Sequence, residues 1–278
     1  MTEKHEYYPD SSLFSASLEK VMGTRFFILL LGKEERQASE LWEEVRSLLE
    51  SGDSVFNRFS SESEVSKVNT LLKERGEALL SDVLARSVAD CVEFRRRTSG
   101  LFDITKDSKK KLSLEGNVLR AEGAELDFGG YAKGWALRQI MSLLESKSVS
   151  AAFVDFGGSS ICALGSHPAG DCWSVDLNSP RTGMYLNSPR TGMYLNTFRL
   201  RDSSLSTSGN TPAYSGHIVN PITGEANKRN MMVSVEGKDP LVCEVLSTAY
   251  MLCHSEELRE GMRREFGDYV FNAYSDLL

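Results

Sequence analysis

The feature that most constrains the fold is a glycine-rich segment at residues 126–140. In it, Asp127 and two adjacent glycines follow an apolar strand end, and apolar residues then recur at Ala132, Ala136 and Ile140. Apolar residues at this spacing lie on one face of a helix, and glycine pairs are typical of turns. The segment therefore predicts a junction at which a strand turns into an amphipathic helix.

Such a junction is suited to binding a phosphate group. Gly129 and Gly130 would let phosphate oxygens approach the backbone closely, and the first N–H groups of a helix have no partner within it. Lys133 adds a positive charge beside them. The alternative is a turn in which Gly130 and Gly134 only allow tight packing, and this segment alone does not decide between the two.

Strand-like and helix-like patterns alternate along the rest of the chain. The spacing of Leu41, Val45 and Leu48 predicts a helix at residues 34–57 with one buried face. Further helices are predicted at 82–97, 239–253 and 255–265, and strands at 12–20, 24–31, 173–176, 196–200, 231–236 and 267–274, with a hairpin at 111–127.

Composition and charge exclude several classes of protein. The chain has 278 residues, of which 41% are hydrophobic and 26% charged, so it can bury a sizeable core. Its net charge of −7 argues against nucleic-acid binding, which needs a basic surface. The five cysteines are odd in number, widely spaced and without a CxxC pair, which favours free buried thiols over disulfides or a zinc site.

Apolar stretches are too short to predict a transmembrane segment, and the polar residues 1–6 lack the apolar core of a signal peptide. As the chain stands, we expect a cytoplasmic protein. It would be an exported one if an N-terminal signal has been removed.

A second aspartate-Phe-Gly-Gly sequence lies within residues 151–161, which read as a strand, a glycine turn and a strand. Gly157 and Gly158 could form only a bulge or a tight turn. Because the same four residue types begin the first glycine segment, the alternative is that two backbone loops converge on one ligand.

An exact tandem duplication joins residues 178–186 to residues 187–195. A single extra copy is too little for a solenoid, and its Ser-Pro and Thr-Gly pairs favour turns. We expect an exposed hairpin extension without catalytic residues. Tyr185 and Tyr194 are the residues through which it could touch a partner protein or another subunit, and an inert duplication is the alternative.

Several polar segments are open to two interpretations. The residues from Ser63 to Asn69 predict either a short capped helix or the polar wall of a ligand cleft. Residues 205–210 and 216–224 could each form only a turn, with His217 as a structural residue. The alternative is a functional site, because together they supply hydroxyls, backbone amides and the imidazole of His217 within a short distance along the chain.

Glu244 and Thr248 lie four residues apart on a predicted helix, so they share one face of it. An oxygen pair at this spacing can hold a hard cation such as Mg²⁺. The alternative is an ordinary surface pair.

Taken in order, these motifs resemble the ApbE-type FAD:protein FMN transferases, the flavin transferase family. The match runs through the motifs at residues 22–24, 63–69, 102–103, 127–134, 154–158, 207–209, 217–224 and 244–249. The resemblance implies an α+β fold of mixed sheets flanked by helices, with FAD in a central cleft. We expect residues 1–278 to form one such domain, which could consist of two closely packed lobes.

The resemblance also implies a reaction and its residues. Members of the family use Mg²⁺ to move the FMN half of FAD onto a Thr or Ser hydroxyl of an acceptor protein, releasing AMP. It makes His217 and Lys133 catalytic residues and assigns the Mg²⁺ ligands to the Ala132 carbonyl, Glu244 and Thr248. It assigns FAD binding to Met22, Ser63, Asn69, Asp103, Asp127, Gly129, Gly130, Lys133, Gly157, Gly158, Thr207, Ser208 and Gly209.

The sequence departs from the family pattern at three places. Glu244 stands where the family usually has aspartate, Asn220 stands where it usually has aspartate, and the region after Phe102 and Asp103 is shorter than is typical. These departures favour an alternative in which the protein binds FAD without transferring it. A further alternative is hydrolysis of FAD to FMN and AMP.

Overall fold

The structure, a computed structural model, describes residues 2–178, 194–210 and 216–275. Its helices are α1 (Glu35–Phe56), α2 (Glu64–Arg75), α3 (Asp82–Arg97), α4 (Ala132–Ser146), α5 (Pro240–Tyr250) and α6 (Glu256–Glu265). Its strands are β1 (Thr2–Tyr8), β2 (Leu13–Val21), β3 (Thr24–Leu31), β4 (Glu77–Leu79), β5 (Ser113–Glu115), β6 (Val118–Arg120), β7 (Ala151–Phe156), β8 (Ser160–Leu164), β9 (Trp173–Asn178), β10 (Tyr194–Leu200), β11 (Ser203–Gly209), β12 (Met231–Gly237) and β13 (Val270–Ser275).

The main sheet has eight strands in the order β1-β2-β3-β7-β8-β11-β12-β13. A two-stranded sheet joins β9 to β10, and a three-stranded sheet has the order β4-β6-β5. Neighbouring strands in all three sheets run antiparallel. The expected α+β fold with helices flanking sheets is confirmed.

The two faces of the main sheet are covered differently. Phe26 and Ile28 of β3 are buried in one core together with Trp42 of α1. Because successive side chains of a strand point to opposite faces, Leu29 of β3 lies on the other side, against the core that contains Trp173 of β9. Helices therefore cover one face, and the β9–β10 hairpin covers part of the other.

Helices α4 and α5 pack closely at Gly134, where a Cβ atom would lie 2.8 Å from both the Cβ of Glu244 and the Cα of Leu241. Arg138 of α4 donates to the carboxylate of Asp239 at 3.0 and 2.6 Å, and that carboxylate also caps α5. Tight packing at Gly134, one of the two interpretations of this glycine, is confirmed. It places the first turn of α4 opposite Glu244.

Some boundaries differ from the sequence-based prediction. The expected hairpin at 111–127 is confined to β5 and β6, and the last strand begins at Val270. Residues 121–131 contain no strand, so the predicted strand before α4 is wrong, whereas the helix that follows it is confirmed. The strand β1 was not predicted, because its seven residues lie at the edge of the sheet and are almost entirely exposed and polar. An edge strand without a buried face has no alternating pattern to detect.

Three further expectations concern the cysteines, membrane-spanning helices and the duplicated segment. The five cysteines are free, and four of them are buried while Cys172 is half-buried. Within the part of the chain that the structure describes, no helix has the length and apolarity needed to cross a membrane. The duplication at 178–195 falls largely outside the described residues, although β9 and β10, which flank it, do pair as an antiparallel hairpin.

Candidate functional site

Asp127 holds the first glycine loop in place. Its Oδ1 accepts the backbone N–H of Gly129 at 2.7 Å, which closes the turn before α4. Its Oδ2 accepts a hydrogen bond from Lys106 and lies 3.3 Å from the guanidinium of Arg58. Burial raises the pKa of Asp127, but Lys106, the Gly129 N–H and Arg58 together outweigh it, so the pKa lies below its ordinary value. The carboxyl group is therefore an anion at neutral pH.

Lys133, in the first turn of α4, forms the centre of the candidate site with Glu244 of α5. Its Nζ lies 2.5 Å from Oε1 of Glu244, 2.6 Å from Oγ of Ser160 and 3.2 Å from Oγ of Ser159. An ammonium group has three N–H donors, so each one has a partner. The bond to Ser159 is the longest, and it is the one that a phosphate oxygen would replace most easily.

Glu244 is buried, with 4% of its surface exposed, and its two oxygens have different partners. Whereas Oε1 faces Lys133, Oε2 accepts hydrogen bonds from Ser160 at 2.6 Å and from Ser206 at 2.8 Å. Burying a carboxylate is costly unless it is paired and hydrogen-bonded. One ammonium and two hydroxyls meet that requirement here.

A chain of hydroxyl groups continues from Glu244 along α5 and β11. Ser206 lies 3.0 Å from Ser247, Ser247 lies 2.8 Å from Ser208, and Ser208 lies 3.4 Å from Thr248. A carboxylate accepts but cannot donate, so the Ser206 hydroxyl must donate to it. Glu244 thus fixes the direction of the hydrogen bond at its end of the chain.

The residues that the sequence assigns to a cation lie where the start of α4 packs against α5: Ala132 begins α4, Glu244 lies in the middle of α5, and Thr248 lies in its last turn. A Cβ atom at Gly130 would lie 3.1 Å from Oγ1 of Thr248, so this hydroxyl touches the first glycine loop just before Ala132 begins α4. A carboxylate, a hydroxyl and a backbone carbonyl are oxygen donors of the kind that Mg²⁺ prefers. Oε1 of Glu244 has a lone pair left beside its bond to Lys133, so the donor set fits the ion.

The metal assignment nevertheless stays a prediction. Among the residues that the structure describes, no group of three or more His, Cys, Asp and Glu side chains could hold a metal ion. The set described above has one carboxylate, and its other oxygens come from a hydroxyl and the backbone.

The second glycine loop is a tight turn between β7 and β8. Gly157 and Gly158 have φ angles of 72° and 67°, which glycine adopts at little cost. Asp155 accepts the N–H of Gly158 at 2.7 Å and lies 3.4 Å from the guanidinium of Arg25. Burial raises the pKa of Asp155, and these two partners offset that only in part. The turn delivers Ser159 to Lys133, so both glycine loops do meet at one place.

Thr207, Ser208 and Gly209 lie at the end of β11. The hydroxyl of Thr207 lies 2.8 Å from that of Ser234, while the hydroxyl of Ser208 belongs to the chain that reaches Thr248. Gly209 allows close packing, because a Cβ atom there would lie 2.6 Å from the side chain of Met232. Ser208 is the member of this motif that lies nearest to the centre of the site.

His217 is half-buried, and the charge of Lys106 reaches it. Burial lowers the pKa of His217, and the charge of Lys106, which also contacts Asp127, lowers it further. The turn that follows is joined to the same region, because Pro221 accepts the backbone N–H of Ser108 at 2.7 Å. A neutral imidazole at this place can accept a proton.

Ser63 and Asn69 make contacts within the protein. Ser63 caps α2 by accepting the N–H of Ser66, as one of the two sequence interpretations predicts. Asn69 donates to the carbonyl of Leu126 at 3.0 Å and accepts its N–H at 2.8 Å, so α2 fixes the segment that leads into the first glycine loop. Their assignment to FAD stays a prediction.

Met22 and Asp103 also have partners in the protein. The backbone N–H of Met22, whose φ is 47°, donates to Asp53 at 2.9 Å. Asp103 accepts hydrogen bonds from Thr105 and lies 3.0 Å from Nε of Arg95. These contacts fix the loops that carry the two residues, and a direct contact with FAD stays a prediction for both.

Sequence reasoning missed Ser160, Ser206 and Ser247 as members of the site. A signal for one of them was present, because Ser204, Ser206 and Ser208 alternate along β11 and so share one face of the strand. The partner carboxylate comes from a helix far along the chain, and the sequence does not reveal that pairing.

A separate cavity of about 630 Å³ lies on the other face of the main sheet. Its walls include Phe27, Phe153, Trp173, Asp171 and Arg199, together with residues of the loop before β9. None of the predicted site residues borders it. We therefore place the candidate site at the two glycine loops rather than in this cavity.

Comparison with known proteins gives a consistent result. The ApbE family matches residues 106–270, which is more than half of the chain. The FAD:protein FMN transferase of Salmonella typhimurium is 20% identical over 290 residues, covering 88% of this chain and 80% of the relative. The Vibrio cholerae protein of the same name is 26% identical over 155 residues, covering 52% of this chain and 44% of the relative.

Solved structures share the fold. The flavinyl transferase ApbE of Pseudomonas stutzeri, in its apo form, aligns with a TM-score of 0.74 at 21% identity, over 99% of this chain and 95% of that one. The flavin transferase ApbE of Vibrio cholerae aligns with a TM-score of 0.74 at 19% identity, over 99% and 98%. At such identities the likeness concerns the fold.

Proposed function

Because the chain belongs to the ApbE family, we propose that it is a flavin transferase that uses FAD as its substrate. In the full form of the proposal, it moves the FMN half of FAD onto a Thr or Ser hydroxyl of an acceptor protein and releases AMP. The names of its relatives support flavin transfer from FAD.

The observation that carries the proposal is the Lys133–Glu244 pair between the two glycine loops. Phosphoryl transfer depends mainly on positioning and on stabilising negative charge, and it needs little covalent chemistry from the protein. Lys133 supplies a positive charge at the place where it meets Glu244 and the serine that follows the second glycine turn. A pyrophosphate in this place would exchange the Ser159 hydroxyl for one of its own oxygens.

The proposal includes Mg²⁺ held by the Ala132 carbonyl, Glu244 and Thr248. The ion would neutralise charge on the pyrophosphate. Glu244 is shared with Lys133, so its carboxylate would contact two cations at once. This arrangement accommodates glutamate where the family usually has aspartate, because the longer side chain also reaches the serines of β8 and β11.

His217 is proposed to take the proton of the acceptor hydroxyl. The acceptor oxygen forms a bond to the phosphorus of the FMN half, the bond from that phosphorus to the bridging oxygen breaks, and AMP leaves with the bridging oxygen. Burial and Lys106 keep the pKa of His217 low, which favours the neutral ring that this step needs.

Incubation of the protein with FAD, Mg²⁺ and a panel of synthetic peptides containing Thr or Ser tests the proposal. A peptide that gains covalent flavin, detected by mass spectrometry together with AMP in solution, supports transfer. Free FMN and AMP without a labelled peptide would show that the protein hydrolyses FAD instead of transferring FMN. FAD that stays bound and intact would show that the protein only binds it.

Variants and metal removal sharpen this test. Lys133→Met should abolish AMP release, whereas Lys147→Met, which changes a lysine beyond the far end of the same helix, should leave it unchanged. Chelation with EDTA should stop turnover and added Mg²⁺ should restore it. Full turnover in EDTA would remove the metal from the proposal.

A further inference from the structure

Ser160 and Ser206 hold the Glu244 carboxylate from two neighbouring strands, β8 and β11. Both hydroxyls bind the same oxygen, Oε2, and each serine is 2% exposed. Ser160 also accepts a hydrogen bond from Lys133 at 2.6 Å, so it contacts both members of the ion pair. These contacts leave Oε1 as the oxygen that faces the ammonium group.

We propose that Ser160 and Ser206 are positioning residues that fix the orientation of Glu244 and thereby hold the ammonium group of Lys133 between the two glycine loops. This inference rests on the proposed function where it concerns FAD, and on the geometry alone where it concerns Lys133. We call these two hydroxyls the serine clamp.

The length of the Glu244 side chain explains why its carboxylate needs the serine clamp. A glutamate has one more rotatable bond than an aspartate, so its carboxylate needs more contacts to stay in one orientation. With Oε2 bound by two hydroxyls, the carboxylate cannot turn without losing hydrogen bonds to a charged group, which are among the stronger ones in proteins. An aspartate at this position would be about one bond length too short to reach both serines.

The direct test is the reactivity of Lys133 in the protein without ligands. Labelling with acetic anhydride, followed site by site with mass spectrometry, reports how firmly the amine is held. Ser160→Ala and Ser206→Ala should each raise the labelling rate of Lys133 severalfold. Ser206→Thr, which keeps the hydroxyl, should restore the protection.

Ser204→Ala is the matched control. Ser204 is also 2% exposed and lies on the same face of β11 as Ser206, but its hydroxyl contacts Cys162 and the carbonyl of Lys238. Its replacement should leave Lys133 labelling unchanged. Equal labelling in all three alanine variants would show general loosening of the sheet and would overturn the clamp.

Glu244→Asp tests whether the serines act through this carboxylate. In that background Lys133 should already be labelled faster, and adding Ser206→Ala should have no further effect. An independent, additive effect of the serine would overturn the proposal.

The same variants separate the clamp from the proposed function. If FAD is turned over, Ser160→Ala and Ser206→Ala should lower kcat by about tenfold, the loss expected for one hydrogen bond to a charged group, while Ser204→Ala should not. If the wild-type protein does not turn over FAD, the proposed function fails while the labelling experiment still decides the clamp.

Discussion

The two Asp-Phe-Gly-Gly segments have the same four residue types and opposite electrostatics. Asp127 binds Lys106 and lies near Arg58, and its pKa is lowered, whereas Asp155 lies at 3.4 Å from the exposed Arg25, and its pKa is raised by burial. The first segment leads into a helix and the second into a strand. A short motif therefore does not determine the pKa of its own aspartate, which depends on residues distant in sequence.

Their backbones differ as well. Gly157 and Gly158 have positive φ angles, whereas neither Gly129 nor Gly130 does. In the second loop glycine is needed for a tight turn, and in the first it keeps space in front of Thr248. The first loop thus packs closely against Thr248 of α5, and the second presents the serines that follow it.

The largest expected effect concerns His217, which is influenced by Lys106, the lysine that contacts Asp127 of the first loop. His217→Ala should lower kcat by roughly 10²–10⁴-fold, the usual contribution of a general base, with little change in FAD affinity. Normal kcat with weakened FAD binding would make His217 a binding residue.

Replacing Lys106 tests the pKa of His217 through the pH dependence of activity. The pKa of His217 is lowered from the ordinary value of 6.5, so activity should fall on the acid side with a midpoint below that value. Lys106→Gln removes a positive charge that disfavours the imidazolium, so the midpoint should move to higher pH. Arg58→Gln, which removes another cation near Asp127, is the control and should leave the midpoint in place.

The glycines should respond differently to alanine. Gly157→Ala should destabilise the protein by about 1–2 kcal/mol through its positive φ alone, and its Cβ would lie 2.8 Å from Oγ1 of Thr24. Gly130→Ala meets no such strain and instead pushes on Thr248, so it should lower FAD turnover with a smaller change in melting temperature. Equal losses of stability in both variants would contradict this distinction.

Local patterns predicted much of the fold. The helix expected at 82–97 has those bounds, and α1 differs from its prediction by one residue at each end. Each rests on periodic burial of one face, a property that can be read within a few turns. The edge strand β1 has no such face, and it was missed for that reason.

The candidate site was predicted only in part. The sequence indicated Lys133 and Glu244 separately, through a glycine segment and a helical spacing. It could not indicate that they pair with each other, or that Ser160 binds both, because 84 residues separate Ser160 from Glu244. Such contacts depend on how α5 packs against the sheet, and local patterns carry no information about that packing.

The smallest expected effect compares Asp127→Asn with Asp155→Asn. Both variants keep a side-chain oxygen that can accept the N–H of Gly129 or Gly158, so the main change is the loss of charge. The folded-state pKa of Asp127 lies below the ordinary value of 3.8, so its ionisation stabilises the protein above that pH and the contribution is lost as the pH falls through the folded-state pKa. The folded-state pKa of Asp155 lies above 3.8, so ionisation there costs stability, and protonation removes that cost as the pH falls.

Melting temperatures from neutral pH down to about pH 3 measure this difference. Asp127→Asn should have a lower melting temperature than the wild type at neutral pH, and the difference should shrink as the pH falls. For Asp155→Asn the loss of melting temperature relative to the wild type should be smallest at neutral pH and should grow as the pH falls. If the melting temperatures of the two variants changed with pH in parallel, the two aspartates would not differ in the direction of their pKa shifts.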